Sequence, residues 1–238
     1  MKQTNHFVAV EANIAAGKST LLPKLAAELG WDAIQEPVND PEFTRLLQEF
    51  TDHPNDAVKR IQFQEYITNR RASIVEQLPT DRNYLIERSL YSDLIFTQAN
   101  FLGMVKPDER YMLHYCEIQR RLKDYPVISA VIYLRTAPKI AHSRLVERAR
   151  SAEDGTPLTY LCDIHNYHEA ILPQICRSMG TPLITVNWDD FGCEKNLAKQ
   201  LLETIQPGTL KPAVCDAQNH HLCEKLSEYG DEQSARLS

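Results

Sequence analysis

The feature that most constrains this chain is a short apolar run, His6-Phe7-Val8-Ala9-Val10, that leads into Ala12-Asn13-Ile14-Ala15-Ala16-Gly17-Lys18-Ser19-Thr20. A strand that turns through Gly-Lys-Ser/Thr into a helix is the arrangement of a phosphate-binding loop. Backbone N–H groups at the turn and at the helix N-terminus point at phosphate oxygens. Gly17 lets the backbone approach closely. Lys18 is expected to reach the transferred phosphoryl, and Ser19 to coordinate Mg²⁺. Asn13, Ala15, Ala16, Gly17, Lys18, Ser19 and Thr20 are therefore the candidate contacts to a triphosphate donor. The strict pattern carries glycine where Ala12 stands; looser versions accept alanine.

The remaining pattern suits that start. Short β-rich runs (Phe7–Val10, Asp32–Gln35, Tyr84–Ile86, Ile128–Leu134, Leu183–Val186) alternate with helical stretches such as Ser19–Leu29, Ala57–Gln77, Arg110–Leu122, Ile140–Arg148 and Cys193–Ile205. Such alternation argues for an α/β fold, a parallel sheet with helices on both faces. Crossovers are expected to be right-handed. Ligands in such folds bind at the carboxyl ends of the strands, so the residues after each strand matter most.

At 238 residues and 43% hydrophobic, the chain suits one domain with a full core. We place that domain at 1–206 and a polar tail, with one weak helix around Leu222–Tyr229, at 207–238. A net charge of −6 argues against non-specific nucleic-acid binding. No apolar run reaches the ~18–20 residues of a membrane span. The first strand begins almost at once, which leaves no room for a targeting segment and makes a cytoplasmic (or nuclear) location the expectation. The six cysteines form no Cys-x-x-Cys pair, so they read as free thiols.

Two more strands end in charge. The second runs into Glu36-Pro37-Val38 and the third into Glu87-Arg88-Ser89-Leu90-Tyr91-Ser92-Asp93, delivering carboxylates and an arginine to the rim that holds the phosphate loop. A carboxylate there can accept the proton of an attacking hydroxyl. An arginine beside it can hold both that carboxylate and a phosphate. Further on, Arg144 and Arg148 sit one helical turn apart with Arg150 just beyond, followed by the turn-like Ser151–Thr156. That cluster suits a lid closing over a triphosphate.

With these motifs in hand the chain resembles the deoxycytidine kinase and deoxyguanosine kinase type of deoxynucleoside kinase. The likeness spans roughly Phe7 to Leu202 in six ordered blocks: Glu11–Thr20, Glu36-Pro37-Val38, Phe63-Gln64-Glu65-Tyr66, Glu87–Asp93, Arg144–Arg150, and Leu158-Thr159-Tyr160-Leu161 on to His165 and His168-Glu169. The resemblance implies a kinase-type sheet of about five strands, order 2-3-1-4-5, with an arginine-rich lid. It implies transfer of the γ-phosphoryl of ATP or another triphosphate to the 5′-hydroxyl of a deoxynucleoside, with Mg²⁺. Glu36 then looks like the general base and Arg88 its partner. Glu87 looks like a Mg²⁺ holder beside Ser19. Gln64 looks like the amide that reads the base edge, and Phe63 and Phe96 like walls of the base pocket. Arg148 and Arg150 look like lid arginines, Glu153 a lid carboxylate for the sugar 3′-hydroxyl, and Arg144 with Phe191 the clamp on the donor base. A homodimer through the Tyr111–Leu122 helix is implied by the same analogy.

In that family an arginine after the reading glutamine, with an aspartate after Glu-Arg-Ser, goes with deoxycytidine and purine deoxynucleosides rather than thymidine. Here Arg71, next to Arg70, and Asp93 fill those places. A simple ion pair bracing two elements is the other reading of the two residues. Three features depart from the family pattern: Ala12; Pro41, where relatives often carry a pocket tryptophan; and Phe50, Thr51 and His53, where a sugar-reading tyrosine is expected. Three other functions stay open at this point: a thymidine kinase, a nucleoside monophosphate (thymidylate) kinase, and a non-catalytic nucleotide-binding subunit. The groups Cys162/His165/His168 and Cys215/His220/His221/Cys223 read as a family helix and a polar tail rather than zinc sites.

Overall fold

Five short strands form the sheet; the inner three are buried because they carry apolar residues on both faces, the mark of a parallel sheet covered on two sides, while the two edge strands are partly exposed. They are β1 (Phe7–Ala12), β2 (Asp32–Ile34), β3 (Tyr84–Glu87), β4 (Ala130–Arg135) and β5 (Leu183–Asn187). The computed structural model describes residues 5–102 and 108–206. The expected tail, its weak helix and its Cys215–Cys223 cluster lie outside them. The strands pair in parallel in the order β2-β3-β1-β4-β5, the order expected from the resemblance.

Because side chains alternate along a strand, β1 feeds two cores. Val8, Val10 and Ala12 face α1 (Lys18–Leu29) and α8 (Glu194–Thr204), packing with Leu22, Leu25, Leu197 and Leu201. Phe7 and Ala9 face the opposite layer. There α4 (Leu90–Leu102), α5 (Glu109–Arg121) and α7 (Leu158–Ser178) contribute Tyr91, Ile95, Ile118 and Leu172. Truncating a fully buried leucine such as Leu22 to alanine would cost about 2–5 kcal/mol.

The structure adds helices that the sequence runs had not singled out. One is α2 (Pro41–Asp52), where Asp40 caps the N-terminus by accepting from the Glu42 N–H at 3.0 Å and Pro41 takes the first turn. Pro41 thus starts a helix in place of lining a pocket. Another is α4, buried on almost every side, so its sequence shows no helical period. The long α3 (Ala57–Glu76) opens on the Asp56 cap and carries Gln64 and Arg71 inward. Helix α6 (Pro138–Arg148) ends at Ala149 in a left-handed conformation, and a single 3-10 turn, Ser151–Glu153, follows. Among the described residues no helix is long and apolar enough to cross a membrane.

Candidate active site

The carboxyl ends of β1, β2 and β3 open onto one cleft of about 620 Å³. At its floor the phosphate loop turns through Ala15 (φ 55°) and Gly17 (φ 102°) before α1 begins at Lys18. Ala12 is still β1: fully buried, paired with Leu134, and packed in the core. Its φ is not positive, so the position has no need of glycine. Asn13 anchors the loop from behind, donating to the Leu161 carbonyl of α7 at 2.8 Å and accepting from the Ile14 N–H at 2.8 Å. Ala16 is buried, while Thr20 is exposed at the mouth.

Lys18 is buried and donates to the Asn13 carbonyl at 3.0 Å. Burial, with the Arg88 charge next, lowers its pKa to about 7 against the pull of Glu87, Glu36 and Glu11. Ser19 donates its hydroxyl to Glu87 Oε1 at 2.7 Å. Two hard oxygen ligands thus meet beside the phosphate loop, which fits the demands of Mg²⁺.

Glu36 follows β2 at the same rim. Arg88 Nε lies 3.5 Å from its carboxylate, as the resemblance implied. The closer partner is Arg71, whose guanidinium bridges Glu36 and Asp93. Burial alone would raise the Glu36 pKa, but Arg71, then Arg88 and Lys18, outweigh it and hold the group at about 2. Asp93 goes the other way: complete burial outweighs Arg71 and a weaker pull from Thr68 and lifts it to about 6, and its Oδ2 has no hydrogen bond of good geometry. Arg70 turns outward, its Nε 3.8 Å from Asp40, so Arg71 is the inward residue of the two.

Arg88 itself sits at φ 65°, a left-handed conformation that costs a non-glycine residue about 1–3 kcal/mol. The turn that imposes it is held by Glu11, a fully buried carboxylate in β1. Glu11 Oε1 accepts from the Ser89 N–H at 2.9 Å and the Ser89 hydroxyl at 2.7 Å; Oε2 accepts from Ser92. Sequence reasoning passed over Glu11 as a residue with a role of its own. The available signal was a carboxylate inside an otherwise apolar strand. Arg88 also lies 4.6 Å over the Phe96 ring and donates to the Ser92 hydroxyl at 3.3 Å.

The cleft's far end is aromatic. Phe63 meets Phe43 and Phe50 at ring separations of 5.5 and 5.4 Å, and Phe96 stands edge-on to His168 at 5.9 Å. Gln64 is buried beside them with Oε1 unpartnered. Where a sugar-reading tyrosine was expected, Phe50 is buried, and Thr51 donates to the carbonyls of Leu47 and Ala152, each at 3.0 Å. That contact joins α2 to the lid.

In the lid, Glu153 is held by Arg148 and, at 3.4 Å, by Arg150. Arg144 donates to the carbonyls of Ala16 (3.2 Å) and Trp188 (3.0 Å), and its guanidinium lies 4.2 Å over the exposed Phe191 ring. The structure therefore brings every candidate residue to one cleft or directly behind it; Asn13, Ala16 and Asp93 stand behind the wall. His168 instead turns Nδ1 to the Ile164 carbonyl at 2.8 Å. Among the described residues no group of His, Cys, Asp or Glu is arranged as a metal site.

The family model "Deoxynucleoside kinase" matches residues 8–208. A probable deoxycytidine kinase of fowlpox virus is 26% identical over 215 residues, covering 85% of this chain and 88% of the viral one. A deoxyguanosine kinase of Dictyostelium discoideum is 28% identical over 188 residues, covering 78% of this chain and 65% of its own. The structure of deoxyadenosine kinase from M. mycoides with bound dCTP superposes with a TM-score of 0.68 at 24% identity, over 84% of this chain and all of that one. The chain belongs to the deoxynucleoside kinase family, ATP-dependent phosphotransferases that act on deoxynucleosides.

Proposed function

We propose that the chain transfers the γ-phosphoryl of ATP, or of another triphosphate, to the 5′-hydroxyl of a deoxynucleoside whose base carries an exocyclic amine: deoxycytidine, or deoxyadenosine or deoxyguanosine, in nucleotide salvage. One observation carries this reading: Lys18, the Ser19–Glu87 pair, Glu36 and Arg88 share a cleft whose far end holds Phe63, Gln64 and Arg71, with Asp93 paired to Arg71 just behind the wall.

Donor phosphates lie on the loop amides and Lys18. Ser19 and Glu87 would hold Mg²⁺, which when bound supplies charge neutralisation at the phosphates. Arg144 and Phe191, 4.2 Å apart, must part to admit the donor base between them. Glu36, held ionised by Arg71 and Arg88, accepts the proton of the 5′-hydroxyl. Arg88 orients Glu36 and faces the transferred group. Arg148 and Arg150 leave Glu153 for the phosphates, which frees Glu153 to meet the sugar 3′-hydroxyl. Most of the acceleration comes from alignment and charge stabilisation.

The base preference rests on Asp93. Above a pKa of about 6 it is ionised, with Arg71 on one oxygen and no donor of good hydrogen-bond geometry on the other, Thr68 being the neighbour that lowers the value slightly. A buried carboxylate oxygen accepts from an amine and repels a carbonyl, so thymidine is disfavoured. A homodimer through α5 and a cytoplasmic location complete the reading.

The test is a panel of deoxynucleosides, ribonucleosides and deoxynucleoside monophosphates with MgATP, read as kcat/KM. Deoxycytidine or a purine deoxynucleoside should lead. Product from monophosphates alone, or thymidine as the best substrate, would refute the proposal.

A further inference from the structure

Behind the acceptor end of the cleft lies a cation that neither the motifs nor the proposed chemistry uses. Arg60 stands four residues before Gln64 on α3, on the same helical face, and is only 9% exposed. Its guanidinium lies over the Phe50 ring, 3.8 Å from the centroid, and 5.7 Å from that of Tyr160. Nη1 donates to the Phe50 carbonyl at 3.3 Å, and Nη2 to the Asn100 side-chain oxygen. Asn100 in turn donates to the Phe96 carbonyl at 2.8 Å. Among the described residues Arg60 pairs with no carboxylate, and its Nε has no partner.

Burying a guanidinium without a counter-ion is unfavourable, and a hydrophobic residue of similar volume would serve stability better. A chain that keeps such a group breaks a local rule, and such breaks concentrate at functional sites. The contacts say which function. Phe50, Phe96 and Tyr160 all line the cleft, and they come from α2, α4 and α7. Arg60 touches or tethers each of them, and none of the three is covalently close to another. A planar, rigid fork can hold three such walls at fixed separations where a flexible ammonium cannot.

We propose that Arg60 is the positioning residue of the acceptor pocket: it sets the spacing of Phe50, Phe96 and Tyr160, and with it the size of base and sugar the pocket admits. This rests on the reading that the aromatic end of the cleft takes the deoxynucleoside.

Steady-state kinetics of full-length Arg60→Met and Arg60→Lys test it, with the deoxynucleoside and MgATP varied separately. Arg60→Met should raise KM for the best deoxynucleoside about 10- to 100-fold, the cost of a misplacement near 1 Å. KM for ATP should stay within about 2-fold, because no donor contact is touched. The ratio of kcat/KM between a purine and a pyrimidine deoxynucleoside should move by about 5-fold or more. Arg60→Lys, which keeps the charge and loses the fork, should fall between. If Arg60→Met does not fold, Asn100→Ala cuts the same tether to Phe96 and should show a smaller rise confined to the deoxynucleoside. Unmoved deoxynucleoside KM, or KM values for ATP and deoxynucleoside rising together, would overturn the role of Arg60 while leaving the kinase reading intact. A wild-type chain that phosphorylates no deoxynucleoside would overturn both.

Discussion

The two ends of the cleft are built from different materials. The phosphate loop at the donor end is mostly backbone, because a contiguous stretch from Ala12 to Thr20 turns through the left-handed positions at Ala15 and Gly17, with the side chains of Lys18, Arg144 and the lid arginines around it. The acceptor end is side chains, gathered from α2, α3, α4 and α7, helices far apart in the sequence. A phosphate has no identity to read, so amides fixed by φ and ψ suffice. A base has an edge pattern and a size, and only packed side chains can match those. Such a division lets the acceptor change while the donor end stays as it is. Thr51, donating to Ala152, is one place where the two ends touch; Ile14 and Ala15, packed beside Tyr160, are another.

Two substitutions should separate the ends from the chemistry between them. The largest effect is expected at the junction: Glu36→Gln should lower kcat by about 10²–10⁴ with ATP binding intact. Near-normal turnover would exclude Glu36 as base. Next, Gln64→Ala should raise KM for the deoxynucleoside by about 10- to 100-fold, the loss expected when a buried base edge is left without its partner. KM for ATP should not follow. A matching rise in both would mean that the two ends are not independent.

The same division decides what the sequence could tell. Lys18, Ser19, Glu36, Glu87 and Arg88 are legible because each lies at the end of a strand or after it, and parallel strands deliver their ends to one rim. Arg71 was legible as a partner of Asp93, but its second contact, with Glu36, joins residues 35 apart in sequence and depends on where α3 packs. Arg60 gave no signal, since a lone arginine on a helix reads as surface until three other helices close over it. Helix α4 hid for the opposite reason: burial on all sides erases the period by which helices are found. Ala12 has no need of glycine because the strand runs to Ala12 itself, two residues past the expected end at Val10.

A subtler break at the donor end is Gly17→Ala. Its Cβ would fall 2.7 Å from Phe191 Cε1, at a φ of 102°. The exposed Phe191 can swing aside, so the clash is relieved at the expense of the base clamp, while the backbone strain of about 1–3 kcal/mol stays. KM for ATP should rise about 10-fold, and KM for the deoxynucleoside should not move. A rise confined to the deoxynucleoside would place the loop's influence at the wrong end.

The smallest effect concerns the charge state of the acceptor end. Asp93 is lifted to about 6 in the folded chain from an ordinary value of 3.8. The native state therefore holds this proton more tightly than the unfolded chain does. Its contribution to stability is fullest below the ordinary value and is lost as pH rises through about 6. Glu36, lowered to about 2, acts with the opposite sign and in a more acidic window, so the two do not cancel between pH 4.5 and 6. Denaturant midpoints at pH 4.5 and 6.5 for wild type and Asp93→Asn should differ in slope, wild type losing about 1 kcal/mol more across the interval. The substitution leaves the Arg71–Glu36 contact in place, which keeps the comparison local. Parallel slopes would mean that Asp93 ionises as freely in the fold as out of it. Burial would then not be tuning the carboxylate, and the preference for an amine-bearing base would have to come from Gln64 alone.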